Sequence, residues 1–315
     1  GAGIAGVATA RELARVGYHV QLIDEREGPG EGCSGGNAGT LGISAPARRI
    51  STPPFFYKAP AWLMRAPTSD GPHENNRFCH RSTFLDPYFW LWGISYVRLL
   101  LSHKQDGIPF QKDWLRRNAD ERKALGLAAE EEGINAFTVS GRLIPAFGAP
   151  VAGSYAASAV EGEKFESATC LKYEPCLKEA VEQGLITEGH WFKIDGHGDC
   201  KLYLRKLATA MHSKYGVKIS FGAHCTRLLI EKGRCVGLEL NDGTKILADA
   251  VVLANGSGVA KLAASVGVYV PVQALRGYSF TIPVRKDATA PVPQGSIVTQ
   301  PHEMYISRVE DADLG

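Results

Sequence analysis

"GAGIAGVATARELARVGYHVQLIDEREG", residues 1–28, decides how the rest of the chain is read. Gly1, Gly3 and Gly6 fall in the spacing G-x-G-x-x-G. Val7, Ala10, Leu13 and Ala14 then recur at helical spacing, so Val7 to Val16 is predicted to be a helix that Gly17 ends. Tyr18 to Ile23 follows as a strand, with Val20 and Leu22 on one face and Asp24 at its carboxyl end. The order is glycine turn, helix, strand, acid: a βαβ unit without its first strand. In such a unit the first glycine makes the tight turn. The second lets a pyrophosphate approach the backbone, and the third lets the helix pack on the sheet. The positive end of the helix holds the phosphates. Asp24 lies 24 − 6 = 18 positions after the last glycine, close to the ~20 expected of an acid that binds ribose hydroxyls. The glycines alone are a weak signal, but glycines and acid together are a dinucleotide fingerprint. An acid at position 24 argues against a bound 2′-phosphate. FAD and NAD share the pattern, so the remainder of the chain must separate them.

The 315 residues suffice for about two domains. With 44% hydrophobic and 22% charged residues, the balance is that of a soluble globular protein. A net charge of +2 is too small to argue for nucleic acid or an acidic partner. The seven cysteines are odd in number and contain no C-x-x-C pair, so neither a disulfide framework nor a metal site is read from them, and a reducing compartment is inferred. One apolar stretch, Thr83 to Ser102, is interrupted by Asp86, Pro87 and Arg98. It reads as a core-facing helix rather than a membrane span, the alternative being an aromatic surface that rests on a bilayer.

Residues 28–60 are loop-like. From about Phe55 to Gln183 aromatic residues gather, at Trp62, Tyr88, Trp90, Trp92, Tyr96 and Trp114, and helical patterns such as Asp113 to Glu132 carry no nucleotide motif. This is read as a separate, aromatic-lined domain. At Asp199 an acid-capped helix begins, with Leu204, Leu207 and Met211 on one stripe and Gly216 as terminator. Val217, Ile219 and Phe221 form a strand. Turns at Lys232-Gly233 and Asp242-Gly243 split the next segment into a three-stranded meander. "DAVVLANGS", residues 249–257, reads as a buried parallel strand leading into a glycine turn.

A simple NAD domain would continue with a second βαβ unit, whereas this chain interrupts itself and returns. "LIDEREGPGEGCSGGNAGTLG", with S-x-x-N-A-G at Ser34 to Gly39, resembles the region after the second strand of FAD-dependent D-amino-acid dehydrogenases. Glu174-Pro175, "GDC" at Gly198 to Cys200, "ADAVVLANGS" and "LRGYSFTIPV" at Leu275 to Val284 fall in the same order as in that family. The resemblance covers essentially the whole chain, and the wider group includes glycine, sarcosine and D-amino-acid oxidases.

The resemblance implies an α/β fold: a discontinuous Rossmann-like FAD-binding domain, residues 1–54 and 195–268, with an inserted antiparallel-sheet α+β substrate domain, residues 55–194 and 269–315. It also implies truncation at both ends, with the first strand and a C-terminal segment missing. A chain so truncated is expected to be poorly soluble and inactive alone. Carried over by motif, Gly1, Gly3 and Gly6 hold the FAD pyrophosphate and Asp24 the adenosine ribose, flanked by Glu25 and Arg26. Ser34, Asn37, Ala38 and Gly39 run past the phosphates toward the flavin ring. Cys225 is an adenine-wall candidate or a small buried side chain, and Asn255 and Gly256 lie near the pyrophosphate. Cys33 beside the flavin loop is not read as a covalent attachment point. Tyr278 and Arg308 are the substrate candidates, Arg308 because a carboxylate suits the guanidinium fork. His197 reads as a solvated loop residue. No metal is expected. The implied reaction oxidises a D-amino acid to an imino acid, then a keto acid, with electrons passing to a quinone or oxygen and peripheral membrane contact possible. The alternatives are a glycine- or sarcosine-oxidase-like enzyme, an NAD-dependent dehydrogenase and an inactive truncated gene product.

Overall fold

The first helix, Ile4–Arg15, begins three residues before the apolar stripe that predicts it, because Gly3 is its N-cap. Gly17, at φ 98°, closes it. The computed structural model describes residues 1–42, 85–102, 117, 120, 123, 125–148, 162–274, 277–285, 287, 289, 291–299 and 304–309. Trp62, Trp114, Leu275 and nine residues of the helical pattern from Asp113 to Glu132 lie outside these residues; its described residues 117, 120, 123 and 125–131 are helical, as the sequence predicts. Strand β1, Gln21–Ile23, is shorter than the sequence suggests. Tyr18 is 65% exposed and lies before the ladder.

Thirteen strands are described: β1; β2, Thr40–Leu41; β3, Phe137–Thr138; β4, Arg142–Phe147; β5, Glu163–Glu166; β6, Ile186–Phe192; β7, Gly196–Gly198; β8, Lys218–Ser220; β9, Cys225–Glu231; β10, Arg234–Leu240; β11, Lys245–Leu247; β12, Ser296–Thr299; and β13, Met304–Ser307. They form four sheets. β1 pairs in parallel with β8, Leu22 opposite Ile219. β9, β10 and β11 make the antiparallel meander, turning at Lys232 and Gly233 and again at Gly243, all with positive φ. A five-stranded sheet runs β13-β12-β4-β6-β5, and a small sheet runs β2-β7-β3.

Between β1 and β4 two stretches of helix are described, residues 125–131 and, ahead of them, Pro87–Ser102. Tyr88 lies 6.1 Å from the Tyr269 ring, and Ser95 reaches the Tyr269 hydroxyl at 3.5 Å. That contact turns Trp90, Leu91 and Ile94 outward, where they are exposed. The core-facing reading of this helix is therefore wrong for these three residues. Among the described residues no helix is long and apolar enough to cross a membrane.

The core against the first helix follows the sequence closely. Asp199 accepts the Leu202 N–H at 2.9 Å and caps the helix Cys200–Tyr215, which Gly216 ends at φ 66°. Its stripe of Leu204, Leu207 and Met211 is fully buried against Val7, Ala10, Ala14 and Leu22. Arg11 breaks the apolar face of the first helix and is buried nonetheless. Glu131 and Glu132 reach it from a distant part of the chain, at 2.5 and 3.0 Å, and Glu12 joins them from its own helix. Tyr215 and Lys214 donate to Glu132 at 2.8 and 3.3 Å, which ties the two core helices to residues 125–132.

One expected strand is absent. Residues 249–255 form no ladder among the described residues, and Val252 is 59% exposed. Their apolar run suits a parallel strand, but a strand needs a neighbouring backbone to pair with, and no described segment supplies one.

Candidate functional site

The site is assembled at the carboxyl ends of β1 and β8. The Gly1 nitrogen donates to the Ile23 carbonyl at 2.6 Å, so the glycine turn starts against the end of β1. Asp24 holds it there: Oδ2 accepts the Ala2 N–H at 2.5 Å, and Oδ1 accepts the Arg26 N–H at 2.8 Å. The Arg26 carbonyl accepts Gly222 N–H and the Asp24 carbonyl accepts Ala223 N–H, each at 2.9 Å. Glu25 pairs with His224 Nδ1 at 2.7 Å.

Three glycines shape the turn. A Cβ at Gly1 would fall on the Ala254 carbonyl and lie 2.9 Å from Asn255 Cα. A Cβ at Gly6 would fall on the Gly1 carbonyl oxygen, 3.3 Å from Ala254 Cβ. Gly3 is different: its Cβ would meet Ser34 Oγ at 3.1 Å and is otherwise directed at open space. Gly1 and Gly6 therefore permit backbone-to-backbone packing, and Gly3 keeps the outer face of the turn clear. That outer face is where the helix presents its N–H groups. Ser34 Oγ accepts the Ile4 N–H at 3.0 Å. Among the described residues no acceptor meets the N–H groups of Gly3 and Ala5. A diphosphate fits this cradle: open donors, a positive helix end and no side chain in the way.

The loop after β1 passes over the turn. Gly30 N–H donates to the Ala2 carbonyl at 2.9 Å. Asn37 folds its own segment, donating from Nδ2 to the Ser34 carbonyl at 2.6 Å and accepting the Gly39 N–H at 2.7 Å. Gly39, at φ 63°, lies so close to Gly198 that a Cβ would strike the Gly198 carbonyl. Its own carbonyl accepts the Gly198 N–H at 2.8 Å. Ser307 Oγ donates to the Ala38 carbonyl, so β13 meets the loop; the next residue, Arg308, is exposed.

The sequence-derived residues thus divide. Gly1, Gly3, Gly6, Asp24, Ser34 and Asn255 converge on the turn, with Glu25 and Arg26 beside Asp24, while Gly256 follows Asn255 at φ 58° with open space around it. Asn37, Ala38 and Gly39 continue toward β7 and β13. Cys225 opens β9, half-buried, and burial pushes its thiol above the usual range. A thiol so shifted is unreactive, which suits either reading of Cys225, adenine wall or small buried side chain. Tyr278 is 87% exposed, and among the described residues no contact joins it to this group. His197 is not a solvated loop residue. It sits half-buried in β7 between β2 and β3, with Nδ1 2.8 Å from Ser140 Oγ, because Thr40 and Thr138 pair with it from both sides.

Sequence reasoning missed two buried groups close by. Arg142 and Asp195 form an ion pair at 2.8 Å with side chains 2% and 0% exposed, and Arg142 lies over the Phe192 ring. Glu174 is also fully buried, its carboxyl oxygens taking the N–H groups of Gln294 and Gly295 at 2.9 and 2.8 Å. The Glu174-Pro175 pair was visible in the sequence, its burial was not. Among the described residues no cluster of His, Cys, Asp and Glu could hold a metal.

A glycine turn on a helix N-terminus, bolted by an acid to the end of a parallel strand pair, defines a dinucleotide-binding architecture. Comparison with known proteins narrows the class: the chain belongs to the FAD dependent oxidoreductase family (DAO), whose model matches residues 1–314. FAD is the cofactor of that family. The chain is 30% identical over 319 residues to the D-amino acid dehydrogenase of Paramagnetospirillum magneticum, covering 99% of this chain and 72% of that protein. It is 26% identical over 332 residues to the D-amino acid dehydrogenase of Vibrio cholerae, with the same coverage. Among solved structures, glycine oxidase from Bacillus cereus superposes with a TM-score of 0.58 at 16% identity, over 98% of this chain and 66% of that one. L-Proline dehydrogenase from P. horikoshii gives 0.52 at 16% identity, over 98% and 65%. At such identities these two show the shared fold.

Proposed function

We propose that this chain is the greater part of an enzyme that oxidises D-amino acids to imino acids, which water then converts to keto acids and ammonia. The observation that supports it best is the open diphosphate cradle of Gly1, Gly3 and Gly6 with Asp24 behind it, in a chain 30% identical to a D-amino acid dehydrogenase. When bound, FAD supplies the chemistry by accepting the hydride from the substrate Cα while the amine loses a proton.

The residues of this chain bind and orient. Gly3, Ala5 and the helix end offer N–H groups to the pyrophosphate, and Asp24, Glu25 and Arg26 face the adenosine ribose. Cys225 forms part of the adenine wall. Ser34 to Gly39 carry the cofactor toward β7 and β13, and Asn255 and Gly256 border the diphosphate. Arg308, next to the Ser307 contact, takes the substrate carboxylate, and Tyr278 is the second substrate residue carried over by motif. Residues 1–54 and 195–268 serve the cofactor, residues 55–194 and 269–315 the substrate. The electrons leave to a quinone or to oxygen, the former with contact to a membrane.

The test is purification with added FAD, a visible spectrum, and a panel of D-amino acids, glycine, sarcosine and L-proline with a dye acceptor, in air and without it. Reduction of the dye by D-amino acids above the other substrates supports the reading. A yellow protein that prefers glycine or sarcosine replaces it with the amine-oxidase alternative. A colourless protein that reduces NAD overturns it.

A further inference from the structure

We propose that Glu174 is a positioning residue for the cofactor loop, Ser34 to Gly39, an inference that rests on the reading of that loop as the path of the flavin. Pro175 keeps the residue before it out of helical geometry, and Glu174 accordingly leaves the turn Cys170–Tyr173 with φ −138° and ψ 86°. Its side chain is then buried at 1% exposure. One oxygen accepts the Gln294 N–H at 2.9 Å, the other the Gly295 N–H at 2.8 Å, and the Cys176 thiol approaches the first at 3.7 Å. Burial, followed by the neighbouring Glu174, pushes the Cys176 thiol up to about 11, so it remains a weak donor at neutral pH.

The two clasped N–H groups belong to the residues immediately before β12. Ser296, the first residue of β12, contacts Thr40 of β2 through their hydroxyls at 3.0 Å. Ser296 is also paired across the ladder with Ser307, whose hydroxyl donates to the Ala38 carbonyl. Glu174 therefore fixes the start of a hairpin that touches the cofactor loop twice, at Ala38 and just past it at Thr40. Gly295 leaves little room for an alternative seat, since a Cβ there would lie 3.3 Å from Glu174 Oε1 and 3.4 Å from Ser140 Oγ. Ser140 in turn holds His197, which pairs with Thr40. No part of Glu174 touches the loop itself, so its action on the cofactor is through the hairpin.

The test compares wild type with Glu174→Gln, which keeps size and burial but turns an amide N–H₂ toward one of the two donors. The exposed Glu182→Gln serves as a control. The expected result is faster hydrogen exchange at 294–296 and at 34–40, with the meander 225–247 unchanged, and FAD bound about tenfold more weakly. The visible flavin bands should also shift, and Glu182→Gln should show none of these changes. FAD affinity within twofold of wild type, with unchanged exchange at 34–40, overturns the proposal. Exchange is measured on protein without FAD as well, so a wild-type chain that holds no FAD would defeat the flavin reading while the Glu174 coupling is still decided. Should Glu174→Gln fail to fold, the wild-type amides of Gln294 and Gly295 decide it: they must be strongly protected, and rapid exchange there refutes the clasp.

Discussion

Gly3 and Gly6 lie three residues apart in one turn, and the structure gives them opposite roles, so a pair of alanine substitutions should separate packing from cofactor binding. At Gly6 a methyl group would lie on the Gly1 carbonyl oxygen, 2.9 Å from its carbon and 3.3 Å from Ala254 Cβ. These neighbours are backbone and a short side chain, so they cannot swing aside. The helix must retreat from residues 1 and 254, and overpacking of this kind costs about 1–3 kcal/mol. At roughly 2–4 °C per kcal/mol for a domain of this order, Tm should fall by roughly 2–12 °C even without FAD. At Gly3 the methyl would meet only Ser34 Oγ, at 3.1 Å, a side-chain atom that need give by only a few tenths of an ångström while it still accepts the Ile4 N–H. Its φ of −77° and ψ of −177° suit any residue. Loss of a favourable N-cap costs roughly 0.5–1 kcal/mol. The stiffer unfolded chain returns about 0.4–1 kcal/mol. Apoprotein stability should therefore be unchanged for Gly3→Ala, while the methyl stands in the diphosphate approach and FAD binding falls at least tenfold. Thermal denaturation of the apoproteins and fluorescence titration with FAD measure both quantities. The reasoning is refuted if Gly6→Ala melts with wild type, or if Gly3→Ala binds FAD normally.

What the sequence made legible was local. The Asp199 cap, the buried stripe of Leu204, Leu207 and Met211, and the Gly216 terminator lie within one helix and its ends, where propensity and periodicity act directly. The meander was readable because Lys232-Gly233 and Asp242-Gly243 are strong turn chemistry between alternating strands. The glycine turn and Asp24 were readable because their spacing is a backbone requirement. Long-range compensation was hidden. Arg11 looks like a surface residue until Glu131 and Glu132 are seen to fold back on it from 120 and 121 residues away. Glu174 is satisfied by backbone N–H groups, which leave no trace in residue type. The helix Pro87–Ser102 misled because its composition is apolar on nearly every side, so periodicity could not say which side is covered. Residues 249–255 misled for a related reason: an apolar run shows capacity for a strand but not the neighbour that completes it.

Three further outcomes follow from the same contacts. Asp24→Asn can accept only one of the Ala2 and Arg26 N–H groups, so the apoprotein should lose about 1–2 kcal/mol in urea denaturation. FAD affinity should drop by about one to two decades, and unchanged values on both measures would remove Asp24 from the site. Arg11→Met leaves Glu132 buried beside Tyr215 and Lys214 alone. Because Glu12 and Glu131 remain half in water, the loss at pH 7 should fall near the lower end of the range for a broken buried pair, about 3 kcal/mol, and a loss under 1 kcal/mol would count against it. The pH dependence of that loss is the sharper check. Burial pushes the Glu132 carboxyl up, but hydrogen bonds from Tyr215, Arg11 and Lys214 pull it down by more, leaving it below its ordinary value of 4.5. A carboxyl depressed in the folded state binds fewer protons there than in the unfolded chain, so its stabilisation is fully present above about pH 4.5 and is lost as pH falls through the folded value. Arg11 supplies part of that depression. The stability gap between wild type and Arg11→Met should hold steady from pH 7 to about 5 and narrow below pH 4.5, and a gap that is constant down to pH 3.5 would mean that Arg11 acts through packing rather than charge.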